Sequence, residues 1–116
     1  MNNIKWPKTM PILNGNDMYH GGFDSPCGRR HCLIGHGMLI GSKTDRSVEG
    51  AIYESVRDAI NEATGIRRTR TIPIDLFNDN HKLSTNAKIW NRAMYLLGYT
   101  EGNPQSKPVV IKKATK

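Results

Sequence analysis

The sequence predicts a mainly α protein: a three-helix core carrying at most a short two-stranded β-ribbon. Apolar residues recur at helical spacing over residues 48–63 and again over 87–97. A third stretch, Cys32 to Ile40, is apolar on nearly every side, as a central buried helix would be. Glycines stand where each stretch runs out, at Gly41, Gly65 and Gly98. With 116 residues, 37% of them hydrophobic, the chain is long enough for one small domain with one modest core.

Residues 1–24 read as an extended arm, with turns at Asn14-Gly15 and Gly21-Gly22 and with Trp6, Ile12, Leu13, Tyr19 and Phe23 pinning it across the core. Residues 25–100 form the helical core domain, and 101–116 a basic tail. The first helix is expected to open at Ser25 as N-cap with Pro26 at the first helical position. It runs to Gly41, and Gly35 and Gly37 within it predict close approach of a neighbouring element, since each costs about 1 kcal/mol against alanine.

The second helix follows the polar start Ser42-Lys43-Thr44-Asp45. It buries Val48, Ala51, Ile52, Ser55, Val56, Ala59, Ile60 and Ala63 on one face and ends at Gly65. Arg67 to Asp75 alternates and predicts a short edge strand, because Pro73 excludes a central one. Leu76 to His81 reads as a turn. Ser84 or Thr85 caps the third helix, whose stripe is Ala87, Trp90, Ala93, Met94 and Leu97, with Tyr99 folding back. Val109-Val110-Ile111 is expected to supply a second short strand.

No apolar run approaches the ~18 residues that span a bilayer, so no membrane partner is expected. Met1 to Pro7 lacks the apolar centre of an export signal. The two cysteines, Cys27 and Cys32, would lie roughly 8–9 Å apart on a helix, beyond the ~7 Å limit for a disulfide. A reduced, cytoplasmic protein is the expectation. The net charge of +7 favours a phosphate-bearing or acidic partner, although Lys107, Lys112, Lys113 and Lys116 against Glu101 place +3 of it in residues 101–116.

Chemistry concentrates in Asp24 to Met38. Cys27, His31, Cys32 and His36 are zinc-type ligands. On a helix opening at Ser25 they fall on two faces, Cys27 with His31 and Cys32 with His36, so they cannot converge on one ion. No metal and no cofactor is expected; only a two-ligand site completed by His20, His81 or Asp79 stays open. Cys27 near a helix start would have a stabilised thiolate, with His20 or His81 as base and Asp79 or Asn78 as its orienter. Arg29 and Arg30 in a first turn oppose the helix dipole, an arrangement that makes sense where an anion sits. Arg67, Arg68 and Arg70 form a second basic cluster able to share that anion. Asn78-Asp79-Asn80 is read as a turn rather than a catalytic loop.

Cys32-Leu33-Ile34-Gly35 opening a buried helix, together with Phe77-Asn78-Asp79, a loop and Thr85, resembles a group of small proteins of bacteria and their phages. These share a Cys-x-x-Gly helix and a Trp-Asn-Asp turn before a final helix. Phe77 stands where that group has tryptophan, and the loop to Thr85 is longer here. The resemblance implies a helical layout and structural roles for Asp79 and Thr85 in capping the last helix, and a phage origin fits the small size and basic tail. No activity is established for that group, so it implies none.

The leading expectation is a small non-enzymatic binding protein, of the kind a phage uses as an accessory or inhibitor. It would use Arg29, Arg30, Arg67, Arg68 and Arg70 on a nucleic acid, a nucleotide or an acidic protein. One alternative is a cysteine-dependent hydrolase or transferase with Cys27 or Cys32 as nucleophile and His20 as base. Another is a structural or assembly component, for which an oligomer is open.

Overall fold

A computed structural model describes residues 6–26, 28–65, 73–102 and 105–111. The class is mainly α. Helices α1 (Leu33–Lys43), α2 (Arg46–Thr64), α3 (Ile74–Asn80) and α4 (Leu83–Leu96) follow a single 3-10 turn at Gly15–Asp17. Among the described residues there is no sheet, only isolated bridges of His31 with Met18 and with Asp24. The two expected strands are therefore corrected where they can be seen. Val109 to Ile111 runs without a strand partner, and Asp75 belongs to a helix, while residues 66–72 lie outside the described residues.

Helix α2 follows its pattern closely. The Asp45 carboxylate accepts the Ser47 N–H at 2.8 Å as N-cap, and Gly65 ends the helix at φ 73°, a left-handed conformation that suits glycine. Of the expected stripe only Ala51 is half-buried; Val48, Ile52, Ser55, Val56, Ala59, Ile60 and Ala63 are buried. That face packs along α4 and α1.

Helix α1 starts eight residues later than Ser25. Ser25-Pro26-x-Gly28 forms a β-turn instead, closed by the Gly28 N–H on the Ser25 carbonyl at 2.9 Å, and Gly28 has φ 73°. Proline at the second position of a turn and glycine at its fourth are as favourable as the same residues at a helix start. The Ser25 hydroxyl accepts the Arg30 N–H at 3.1 Å rather than capping a helix. Cys32 is the N-cap, its Sγ accepting the Gly35 N–H at 3.3 Å.

Gly41 does not end α1, which continues to Lys43. A side chain at Gly41 would run into Glu49, one at Gly37 into the Tyr53 ring, and one at Gly35 into the Phe23 carbonyl. These glycines let α2 and the preceding loop close onto α1, the close approach expected for Gly35 and Gly37.

The turn expected at Leu76 to His81 is helix α3. Its seven residues bury Ile74, Phe77 and Asn78. Seven residues are too few for helical periodicity to register against Asn78-Asp79-Asn80, whose local preference is for turns. Helix α4 begins at Leu83, with Lys82 at the N-cap position and no side-chain cap, so neither Ser84, Thr85 nor Asp79 caps it. It buries Ala87, Ile89, Trp90, Ala93 and Met94.

Residues 6–24 lie on the helical bundle. Met10, Leu13 and Met18 enter the core, whereas Trp6, Ile12 and Phe23 are at least partly exposed, contrary to expectation. Asn91 on α4 grips Leu13 as a strand partner would, accepting its N–H and donating to its carbonyl, each at 2.8 Å. The Trp90 indole N–H reaches the Pro11 carbonyl at 3.0 Å, and the Tyr99 hydroxyl reaches the Pro7 carbonyl at 2.8 Å. On the other side, buried Arg92 forms a two-point pair with Glu62 at 2.7 and 2.9 Å and donates to the Ser106 carbonyl at 2.7 Å. It thus fixes residues 105–111 against α2 and α4.

Candidate functional site

The chemistry-bearing residues meet where the loop 17–32, the start of α1 and α3 converge. Asn78 is the hub. Fully buried on α3, it accepts the Leu33 N–H at 3.0 Å and donates to the Tyr19 carbonyl at 2.8 Å. The Asn86 amide donates to its backbone carbonyl at 2.8 Å. The Leu33 N–H is one of the donors a helix start leaves unpaired, and Asn78 supplies the acceptor. One amide side chain therefore ties the loop, α1 and α3 together. Asp79 beside it accepts the Gly21 N–H at 2.9 Å, which holds the Gly21-Gly22 bend to α3.

Cys32 is 3% exposed, and burial pushes its thiol above the ordinary value, with the Asp79 carboxylate adding in the same direction. The Gly35 N–H opposes this shift without reversing it. A nucleophilic thiol needs the opposite: a lowered pKa and a base in contact. The expected base, His20, turns its Nε2 to the His81 carbonyl at 2.6 Å. His81 itself stacks on Phe77 with ring centroids 3.8 Å apart and bonds the Phe77 carbonyl through Nδ1 at 2.8 Å. Cys27 lies outside the described residues.

His31 and His36 form the second half of the site. His31 Nδ1 meets the Asp24 carboxylate at 2.5 Å, outside any helix. His36 lies on α1, 7% exposed, with its ring edge against His31 at 4.9 Å and Trp90 at 5.6 Å. Its Nε2 faces the Asp17 carbonyl at 2.8 Å, which requires the hydrogen on Nε2. The same carbonyl accepts the His31 N–H at 3.2 Å. Burial holds the His36 imidazole below its ordinary value, and His31 contributes in that direction. Among the described residues no group of three or more His, Cys, Asp or Glu side chains could hold a metal ion.

Arg29 and Arg30 are exposed in the loop before α1, three and two residues ahead of the Cys32 cap. They do not occupy a helix first turn, so the argument from opposition to a helix dipole does not apply to them. Arg67, Arg68 and Arg70 lie outside the described residues, so the structure does not describe how the two clusters stand to each other. A cavity of about 200 Å³ opens between Gly21, Gly22, Phe23, Cys32, Asp75 and Asp79, and among the described residues its charged lining is the two carboxylates.

Sequence reading missed Asn78, Asn91 and Arg92 as organising residues. The signal for Arg92 was a charge set inside the apolar run Ile89 to Met94. The signal for Asn78 was a polar residue directly after a core phenylalanine, indistinguishable locally from turn chemistry. Among the described residues no helix is long and apolar enough to cross a membrane. In comparison with known proteins, no family model, no curated protein and no solved structure matches this chain.

Proposed function

We propose that the chain is a small binding protein for a phosphate-bearing or acidic partner. The observation that carries this reading is the basic excess, 17 lysine and arginine residues against ten acidic ones, with Arg67, Arg68 and Arg70 and then Lys112, Lys113 and Lys116 clustered along the sequence.

A basic excess favours a polyanion, because each phosphate neutralised releases a counterion. Exposed Arg29 and Arg30 supply two further guanidinium forks suited to phosphate or carboxylate. The raised thiol of Cys32, without a histidine base beside it, favours this reading over a cysteine enzyme.

Fluorescence anisotropy with single-stranded DNA, RNA and polyglutamate tests it. Engagement of about four phosphates predicts an affinity loss of about 100-fold between roughly 50 and 200 mM salt. Arg67→Glu with Arg68→Glu should abolish that binding, and Lys88→Glu on α4 should leave it within about twofold. Binding to all three probes that survives the double reversal, or that ignores salt, overturns the proposal.

A further inference from the structure

Loop 17–32 is tied to α3 through Asn78, Asp79 and His20, and at its Asp17 end it meets α1 through the His36 imidazole. His36 projects from α1 under the loop, and its Nε2–H supplies one of two hydrogen bonds to the Asp17 carbonyl; the other comes from the His31 N–H. The loop closes on itself through the Cys32 N–H to the Phe23 carbonyl at 3.0 Å and the Ser25 N–H to the Arg30 carbonyl at 2.8 Å. Apart from Met18 and Ser25, its residues from 17 to 30 that are described are exposed or half-buried. It therefore has little apolar burial of its own to hold it.

The charged and titratable groups facing His36 are few. The loop presents the His31 ring, the Asp24 carboxylate behind it and Asp17. Helix α4 presents Trp90, and its buried cation Arg92 is taken by Glu62. Helix α2 brings Tyr53 against Gly37, with its hydroxyl on Glu49 at 2.8 Å. Helix α3 brings Asp79, which is held on the Gly21 N–H. Of the two ring nitrogens of His36, Nε2 is the one hydrogen-bonded within the described residues, to the Asp17 carbonyl. A second proton would go to Nδ1, placing a cation in a nearly buried site beside another imidazole.

We propose that His36 is an acid-sensitive latch, whose protonation releases loop 17–32 from α1 while the α2–α4 packing stays in place. The neutral ring fits the closed loop, and the charged ring is accommodated only when the loop lifts and water reaches Nδ1. Lifting would uncover Cys32 and free the segment that carries Arg29 and Arg30. The latch stands independently of the binding function proposed above.

The sign follows from linkage. Burial lowers the closed-state pKa of His36 below its ordinary 6.5, so the open state binds more protons under acid conditions and opening grows as pH falls through that value. Native-state hydrogen exchange, corrected for intrinsic rates, reads this directly at about pH 7.5 and about pH 5.5. The amides of His31 and Cys32 should open more readily than those of α2 at both values. Their opening constant should rise by up to about tenfold per pH unit below 6.5. His36→Gln, whose carboxamide keeps an N–H for the Asp17 carbonyl, should remove the rise.

Three results overturn the latch: no rise in the wild type, an equal rise in His36→Gln, or opening of His31 and Cys32 only together with α2. Where His36→Gln does not fold, an NMR titration of the wild-type ring is set beside the exchange data: opening of His31 and Cys32 that rises over the pH range in which His36 titrates supports the latch, and a rise over a different range overturns it.

Discussion

Asn78 shows how much one buried amide can hold. Its removal leaves the Leu33 N–H and the Tyr19 carbonyl without partners in a dry site, each worth about 1–3 kcal/mol. Asn78→Ala is therefore expected to lower stability to urea by about 3 kcal/mol. Asn78→Asp should cost less, since a carboxylate still accepts from Leu33 at the helix start but cannot donate to Tyr19. Equal losses in both variants would show that the bond accepted from Leu33 carries nothing. At Cys32 the thiol acts as a helix cap, a role serine performs at least as well. Cys32→Ser should hold stability within about 1 kcal/mol and leave partner binding unchanged. A larger loss of binding would return the thiol to consideration as a reacting group. Neither residue's role was legible in sequence. Turn propensity masked Asn78, and cysteine is an uncommon cap.

At the scale of elements, the first helix shows how two local rules can compete. Ser25-Pro26 satisfies both a helix start and a β-turn, and the turn prevails because Gly28 takes a left-handed conformation that a helix cannot include. Gly41 likewise resembles a helix stop, yet it serves the contact of α1 with Glu49 on α2. Gly35 tests the packing explanation. Alanine there gains about 1 kcal/mol of helix propensity but collides with the Phe23 carbonyl, so Gly35→Ala should be net destabilising by about 1–3 kcal/mol in thermal or urea unfolding. A stabilised variant would show that the loop yields freely. The Arg92–Glu62 pair predicts a second loss. Arg92 is 7% exposed, so Glu62→Ala removes the carboxylate from a cation left with the carbonyls of residues 105 and 106 and the Tyr95 ring, and should cost about 3 kcal/mol by urea unfolding.

For the molecule as a whole, acid should weaken the native state through His36. The unfolded chain binds a proton at the ordinary 6.5 and the folded chain only at lower pH, so stability present above that value is lost as pH falls below it. The melting temperature of the wild type should fall more between about pH 7.5 and about pH 5.5 than that of His36→Gln; parallel curves would mean that other groups carry the acid response. The sequence by itself determined the helical class, the α2 and α4 stripes, the stops at Gly65 and Gly98 and the net charge. These depend on periodicity and composition, which a chain carries wherever it goes. Only the tertiary structure decided where α1 begins, that Leu76 to His81 is helical, that Met10 and Met18 rather than Trp6 and Phe23 enter the core, and that Asn78, His36 and Arg92 join distant segments. Each of those outcomes turns on whether a polar or small residue finds a partner far along the chain, and local propensity holds no information about that partner.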